Sequence, residues 1–212
     1  MQGSTTRFLI ASMLLSLSAT AQAAVVAFSN IVSGDGAPTF FDESTTTPDA
    51  VNGNVLNIGL NNFGADGASS SNTAAVDALS LVITAPEGYM ITSLLYSEAG
   101  QAETTGGTAV ASGSIVADGM PTNFATQVFA PGTTQSAWSI EPGIITIDNK
   151  QSIAVSVTNS LFAYAFGPTD IAMIEKTSAT LTVGLTQVPL PAAAWLFGSA
   201  IAGLIGVRAM RT

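Results

Sequence analysis

Glu98 and Glu103, Asp42 and Glu43, and Asp148 lie in or beside β-rich runs of the sequence. Paired carboxylates at such positions are the minimum equipment for glycoside hydrolysis, one acid protonating the leaving oxygen while the other attacks or activates water. Spacing along the chain does not fix their separation in space, and solvated surface acids are the far commoner outcome. The chain has no His and no Cys. A Ser-His-Asp triad, a Cys-His pair, a thiol redox motif and a His or Cys zinc site are therefore excluded. A Ser-Lys dyad could draw only on Lys150 and Lys176, and no S-x-x-K precedes either.

Oxygen ligands are the only ones offered to a metal, which points to calcium rather than a transition metal. Gly34-Asp35-Gly36, Asp66-Gly67 and Asp118-Gly119 would place carboxylates in turns, yet none completes the D-x-[DN]-x-[DN]-G loop. Turn chemistry alone accounts for such Asp-Gly pairs, so no cofactor is expected, with Ca2+ the sole metal worth testing. For sugar stacking the candidate aromatics are Phe40-Phe41, Tyr89, Tyr96 and Trp138. A core role is the simpler assignment for all but Tyr89, which sits in the turn expected over Ala85-Pro86-Glu87-Gly88-Tyr89.

Positioning any of these groups requires a folded core that no disulfide can staple. The chain has 212 residues, 47% hydrophobic and only 9% charged, with a net charge of −9. All fourteen acids fall between residues 24 and 187, where the only bases are Lys150 and Lys176, a charge of −12 for that stretch. Such a surface repels phosphate, so nucleic acid is not an expected partner.

The ends carry more specific information. Arg7 precedes an apolar run from Phe8 to Ala19, and Ala21-Gln22-Ala23 follows with small residues in an A-x-A pattern. Twelve helical residues span only about 18 Å, too short for a bilayer core of about 30 Å. Residues 1–23 are thus expected to be a secretory signal peptide, cut by signal peptidase between Ala23 and Ala24. At the other end stand Val188-Pro189-Leu190-Pro191, then an uncharged segment Ala192–Val207, then Arg208 and Arg211. Two prolines at spacing two forbid strand pairing and keep the motif extended. The helix after them would be about 24 Å long, a marginal transmembrane span. The arginines that close it act as a stop-transfer signal and place the C-terminus inside.

This three-part tail resembles the PEP-CTERM class of bacterial sorting signals, and more narrowly its VPLPA-CTERM variant, over residues 188–211 only. The resemblance implies that the chain is the substrate of an exosortase, a membrane-embedded transpeptidase-like enzyme of Gram-negative bacteria that make exopolysaccharide. It assigns Val188, Pro189, Leu190, Pro191 and Ala192 to the sorting motif and Arg208 and Arg211 to the stop signal. The two arginines are separated by Ala209-Met210, a looser basic cluster than the family usually carries.

Between the ends, period-two alternation dominates. Ile153, Val155 and Val157 alternate with small or polar residues, as do Leu181, Val183 and Leu185; Phe162, Tyr164 and Phe166 alternate with Leu161, Ala163 and Ala165. Further strands are expected at 79–84, 90–96, 108–116, 123–129 and 144–148. Pro86-Glu87-Gly88 reads as the turn of a hairpin between the first two, because Pro presets φ and Gly accepts positive φ. Residues 33–75, rich in Gly, Asn, Ser, Thr and Asp, read as long loops around one strand at Val55, Ile58 and Leu60.

The expectation is an all-β chain: an antiparallel β-sandwich or jelly-roll ectodomain over 24–187, a signal peptide at 1–23, and at 188–212 a sorting signal with one C-terminal transmembrane helix. The expected function is that of an exported, non-enzymatic protein. It would sit transiently in the inner membrane with its N-terminus outside, then at the cell surface or in the exopolysaccharide matrix, as an adhesion or carbohydrate-associated module. The alternatives are a secreted polysaccharide-processing enzyme and a ligand-free coat protein.

Overall fold

The computed structural model describes residues 25–34 and 39–188. Ala23, Ala24, Pro189, Leu190, Pro191, Ala192, Arg208 and Arg211 lie outside the described residues, as do the signal peptide and the C-terminal helix. Thirteen strands make up the fold, with no helix among the described residues. They run β1 Ala27–Ser33, β2 Phe41–Pro48, β3 Val55–Leu60, β4 Gly64–Ala68, β5 Asn72–Thr84, β6 Tyr89–Thr104, β7 Thr108–Ala117, β8 Met120–Asn123, β9 Gln127–Phe129, β10 Ser136–Ile140, β11 Ile144–Lys150, β12 Ser152–Tyr164 and β13 Ile171–Gln187.

Two antiparallel sheets result. One has the order β1-β5-β12-β7-β8, with β9 also on β7; the other has the order β10-β6-β13-β3-β2, with β11 on β6 and β4 on β13. The inward residues of both sheets form one apolar core, from Leu79, Ile115, Val157 and Leu161 on the first to Leu56, Leu94, Leu181 and Val183 on the second. The architecture is therefore all-β, two-layered and β-sandwich-like.

The long strands β12 and β13 occupy the sheet centres and are bonded on both sides. Their alternation explains this placement, because a strand with one continuous apolar face gains most where that face is covered along its whole length. In β13 the inward parity changes partway. Ala172, Ile174 and Lys176 are buried, Thr177 and Ser178 are both exposed, and Ala179, Leu181 and Val183 are buried. The register against β6 slips between Lys176 and Ser178, a bulge that restores the apolar face to the core.

Three expectations need revision. Pro86-Glu87-Gly88 does turn the chain, with Tyr89 N donating to Pro86 O at 3.1 Å and Gly88 at φ 79°. However, β5 and β6 belong to different sheets, so the turn is a crossover and not a hairpin. Residues 33–75 carry β2, β4 and the start of β5 in addition to β3. Thr-rich β2 suits a pleated surface, and Gly64-Ala65-Asp66-Gly67-Ala68 becomes a strand because β13 offers it a full ladder from Ile171 to Glu175. Finally, the strand expected at 123–129 is two short ones, β8 and β9, both on β7.

Candidate functional site

A polar cluster sits at the centre of the core, built from inward positions of four strands. β6 contributes Tyr96 and Glu98, β13 contributes Lys176, β12 contributes Asn159, and β5 contributes Asp77. Asn159 is fully buried, Glu98 is 1% exposed and Lys176 4%. Charges are rarely this enclosed unless paired.

Lys176 Nζ lies 2.5 Å from Glu98 Oε2. The same oxygen accepts from Asn159 Nδ2 at 2.7 Å and from the Tyr96 hydroxyl at 2.8 Å, and that hydroxyl is 3.0 Å from Asn159 Oδ1. Glu98 Oε1 has no partner among the described residues. The ammonium also faces Phe63 and Phe41, at 4.6 Å and 5.4 Å from their ring centroids. Desolvation pushes the Lys176 pKa down to about 8, against the opposing pull of Glu98 and, more weakly, Asp77. Burial, reinforced by the Glu98 charge, pushes the Tyr96 phenol well up, so it remains a proton donor.

Neighbouring positions make room for this cluster. Gly113 on β7 stands opposite Asn159, and a Cβ there would fall 2.7 Å from Asn159 Nδ2 and from the Phe124 ring. Phe124 stacks on Tyr96 with centroids 5.0 Å apart. Asp77, opposite Asn159 on the other side, accepts from Phe40 N at 2.6 Å and Phe41 N at 2.8 Å, which fixes the start of β2.

The acids singled out in the sequence do not assemble into one pair. Glu98 points into the core, whereas Glu103, of opposite parity on β6, lines a surface groove of about 310 Å³ with Asp66 and Glu175. Asp42 is half-buried and accepts from Ser44 N and Oγ, bonds that hold its carboxyl below its usual pKa. Glu43 accepts from Ser33 N and Oγ, and Asp148 is exposed on β11.

Of the Asp-Gly sites, Asp118-Gly119 is the tight turn between β7 and β8, and Asp118 pairs with Lys150 at 3.1 Å. Asp66-Gly67 lies within β4 rather than in a turn, and Asp35 and Gly36 fall outside the described residues. Among the described residues no group of three or more Asp and Glu side chains is placed to hold a metal ion.

Phe41, Tyr96 and Trp138 are buried, and Phe40 and Tyr89 pack against the core. The aromatic surface lies elsewhere. In β12 Leu161 and Ala163 face the core, as does Ala165 just beyond it, so Phe162, Tyr164 and Phe166 line the outer face. Phe162 and Tyr164 stack with centroids 6.1 Å apart, Phe166 is 65% exposed, and Val110 and Val128 continue the row from Phe162 across β7 and β9.

Glu98, Lys176 and Tyr96 stood out in the sequence for other reasons, while Asn159 and Asp77 did not. The available signal was parity: each shares its alternation with apolar neighbours, as Asn159 does with Val157 and Leu161. The class defined by the described residues is a two-sheet antiparallel β protein with a buried ionic cluster and an outward aromatic ledge. No protein-family model, curated protein or solved structure matches the chain.

Proposed function

We propose that this is an exported, non-enzymatic protein of the cell surface or exopolysaccharide matrix, delivered as the substrate of an exosortase-type sorting system. Its β-sandwich ectodomain acts as an adhesion or carbohydrate-associated module. The observation that carries the reading is the C-terminal order of Val188-Pro189-Leu190-Pro191-Ala192, an uncharged segment, and Arg208 with Arg211, combined with a signal-peptide pattern at residues 1–23. The outward ledge of Phe162, Tyr164 and Phe166 supports the ectodomain role, since two stacked, half-buried rings beside an exposed one offer apolar faces for pyranose rings to stack on.

The test is intact mass and membrane fractionation in the native host. Wild type should begin at Ala24 and be released or transferred outward without its arginines. The Pro189→Ala, Pro191→Ala double variant should keep its tail and accumulate in the inner membrane, because its extended recognition segment is lost. Wild-type protein at the cell surface still carrying Arg208 and Arg211 would reduce the tail to a plain anchor and sink the sorting reading.

A second reading, a polysaccharide-processing enzyme, draws on the groove that Asp66, Glu103 and Glu175 line. Saturable binding of isolated exopolysaccharide without turnover favours the module; turnover abolished by Glu103→Gln favours the enzyme.

A further inference from the structure

We propose that Lys176 and Asn159 join in a self-catalysed isopeptide bond that ties the two sheets together, with Glu98 as the proton shuttle and Tyr96 as the donor to the developing oxyanion. This inference does not depend on how the protein is sorted. It rests on the convergence of an amine, a carboxamide, a carboxylate and a phenol in a site closed to water. Nζ of Lys176 and Nδ2 of Asn159 both contact one oxygen, Glu98 Oε2, at 2.5 Å and 2.7 Å. The Tyr96 hydroxyl sits 3.0 Å from Asn159 Oδ1, where negative charge would gather.

An ordinary amide resists aminolysis in water because the amine is protonated, dilute and solvated. Here each obstacle is reduced. A buried ion pair is costly, and desolvation brings the Lys176 pKa down to about 8, so passing a proton from the ammonium to Oε2 to leave a neutral amine and a neutral acid costs far less here than in water. The amine and the carboxamide are also held against the same carboxylate oxygen, which replaces a bimolecular encounter.

The steps balance without any co-reactant. Lys176 Nζ gives one proton to Glu98 and attacks Asn159 Cγ, forming the C–N bond while the carbonyl electrons move onto Oδ1. The carboxyl of Glu98 passes its proton to Nδ2 and receives the second from Nζ. The tetrahedral centre collapses, the Cγ–Nδ2 bond breaks, and ammonia departs. A secondary amide and a protonated Glu98 remain. The bond would bridge β12 and β13, giving a cysteine-free chain a covalent link between its layers.

Trypsin reads the outcome directly, because it cannot cut after an acylated lysine. Full-length protein purified from its host is denatured and digested. The expected product is a fragment that begins at Gln151, runs uncut through Lys176, and is lighter than its sequence by one ammonia. Cleavage after Lys176, with both fragments at full mass, would overturn the proposal. Glu98→Gln should be cut at Lys176, and a fully linked Glu98→Gln protein would refute the shuttle. Should that variant not fold, Tyr96→Phe gives a second reading: in freshly synthesised protein sampled over time, conversion to the linked form should slow on the order of a hundredfold when the oxyanion donor is removed. Unchanged kinetics would eliminate the role of Tyr96.

Discussion

Lys176 and Glu98 reach the same point in the core from adjacent strands of one sheet, their charged atoms 2.5 Å apart and both side chains buried. Lys150 is the other cation among the described residues, and it is spent on Asp118 at the surface. The interior carboxylate therefore has no alternative counter-ion.

Removing the lysine alone should be more damaging than removing both charges. Lys176→Met leaves the Glu98 carboxyl buried without its counter-ion, a loss of about 3–5 kcal/mol for a broken buried pair. The double variant Lys176→Met, Glu98→Gln carries no buried charge and should be more stable than Lys176→Met. Urea denaturation of both checks this; a double variant less stable than Lys176→Met would contradict it.

The pH dependence of a variant follows from the same pair. Glu98→Gln removes the charge that raises the Lys176 pKa, so in the folded state it should fall below the value of about 8 set mainly by desolvation. The unfolded lysine keeps its proton to about pH 10.4. At neutral pH the unfolded state of this variant then binds more protons than the folded one, and its stability should climb from pH 7 towards pH 10. Equilibrium denaturation across that range is the measurement. Stability that is flat, or that falls over that range more than in a Lys150→Gln control, would show that Lys176 does not titrate as a buried group.

Gly113→Ala should cost about 1–3 kcal/mol, since its Cβ would press on Asn159 Nδ2, Phe124 and the Thr158 carbonyl. Gly88→Ala has nothing within 4 Å of the added methyl, only a φ of 79°, and should cost about 1 kcal/mol. Thermal unfolding of both orders them; a smaller loss for Gly113→Ala than for Gly88→Ala would mean that the cluster tolerates displacement.

Phe162→Ala and Tyr164→Ala replace rings on the outer face, so the fold should persist with a small stability change while binding to neutral polysaccharide falls. Affinity electrophoresis in polysaccharide gels compares them with wild type. Retardation that is unchanged in the double variant would remove the ledge from the binding surface.

Alternation along β12 and β13 made strands legible, because a half-buried strand must place its apolar residues every second position. The same pattern could not say which face of Phe162, Tyr164 and Phe166 turns inward, since both parities there are apolar. Packing decided it: Leu161 and Ala163 fit the inter-sheet space, and the rings went outside. Nor could the sequence show that Pro86-Glu87-Gly88 carries the chain between sheets, because a turn's local geometry is indifferent to which strand pairs next. Loop-like composition hid β2 and β4, whose strand state depends on ladders supplied by β3 and β13.

The charge, the absence of His and Cys, and the order of motifs at both ends belong to the sequence alone, because each is a property of residue type and local spacing. The meeting of Tyr96, Glu98, Asn159 and Lys176 belongs to the tertiary structure. Those residues stand on three strands of two sheets, and only the register of those strands and the bulge after Lys176 bring an amine and a carboxamide to the same carboxylate oxygen.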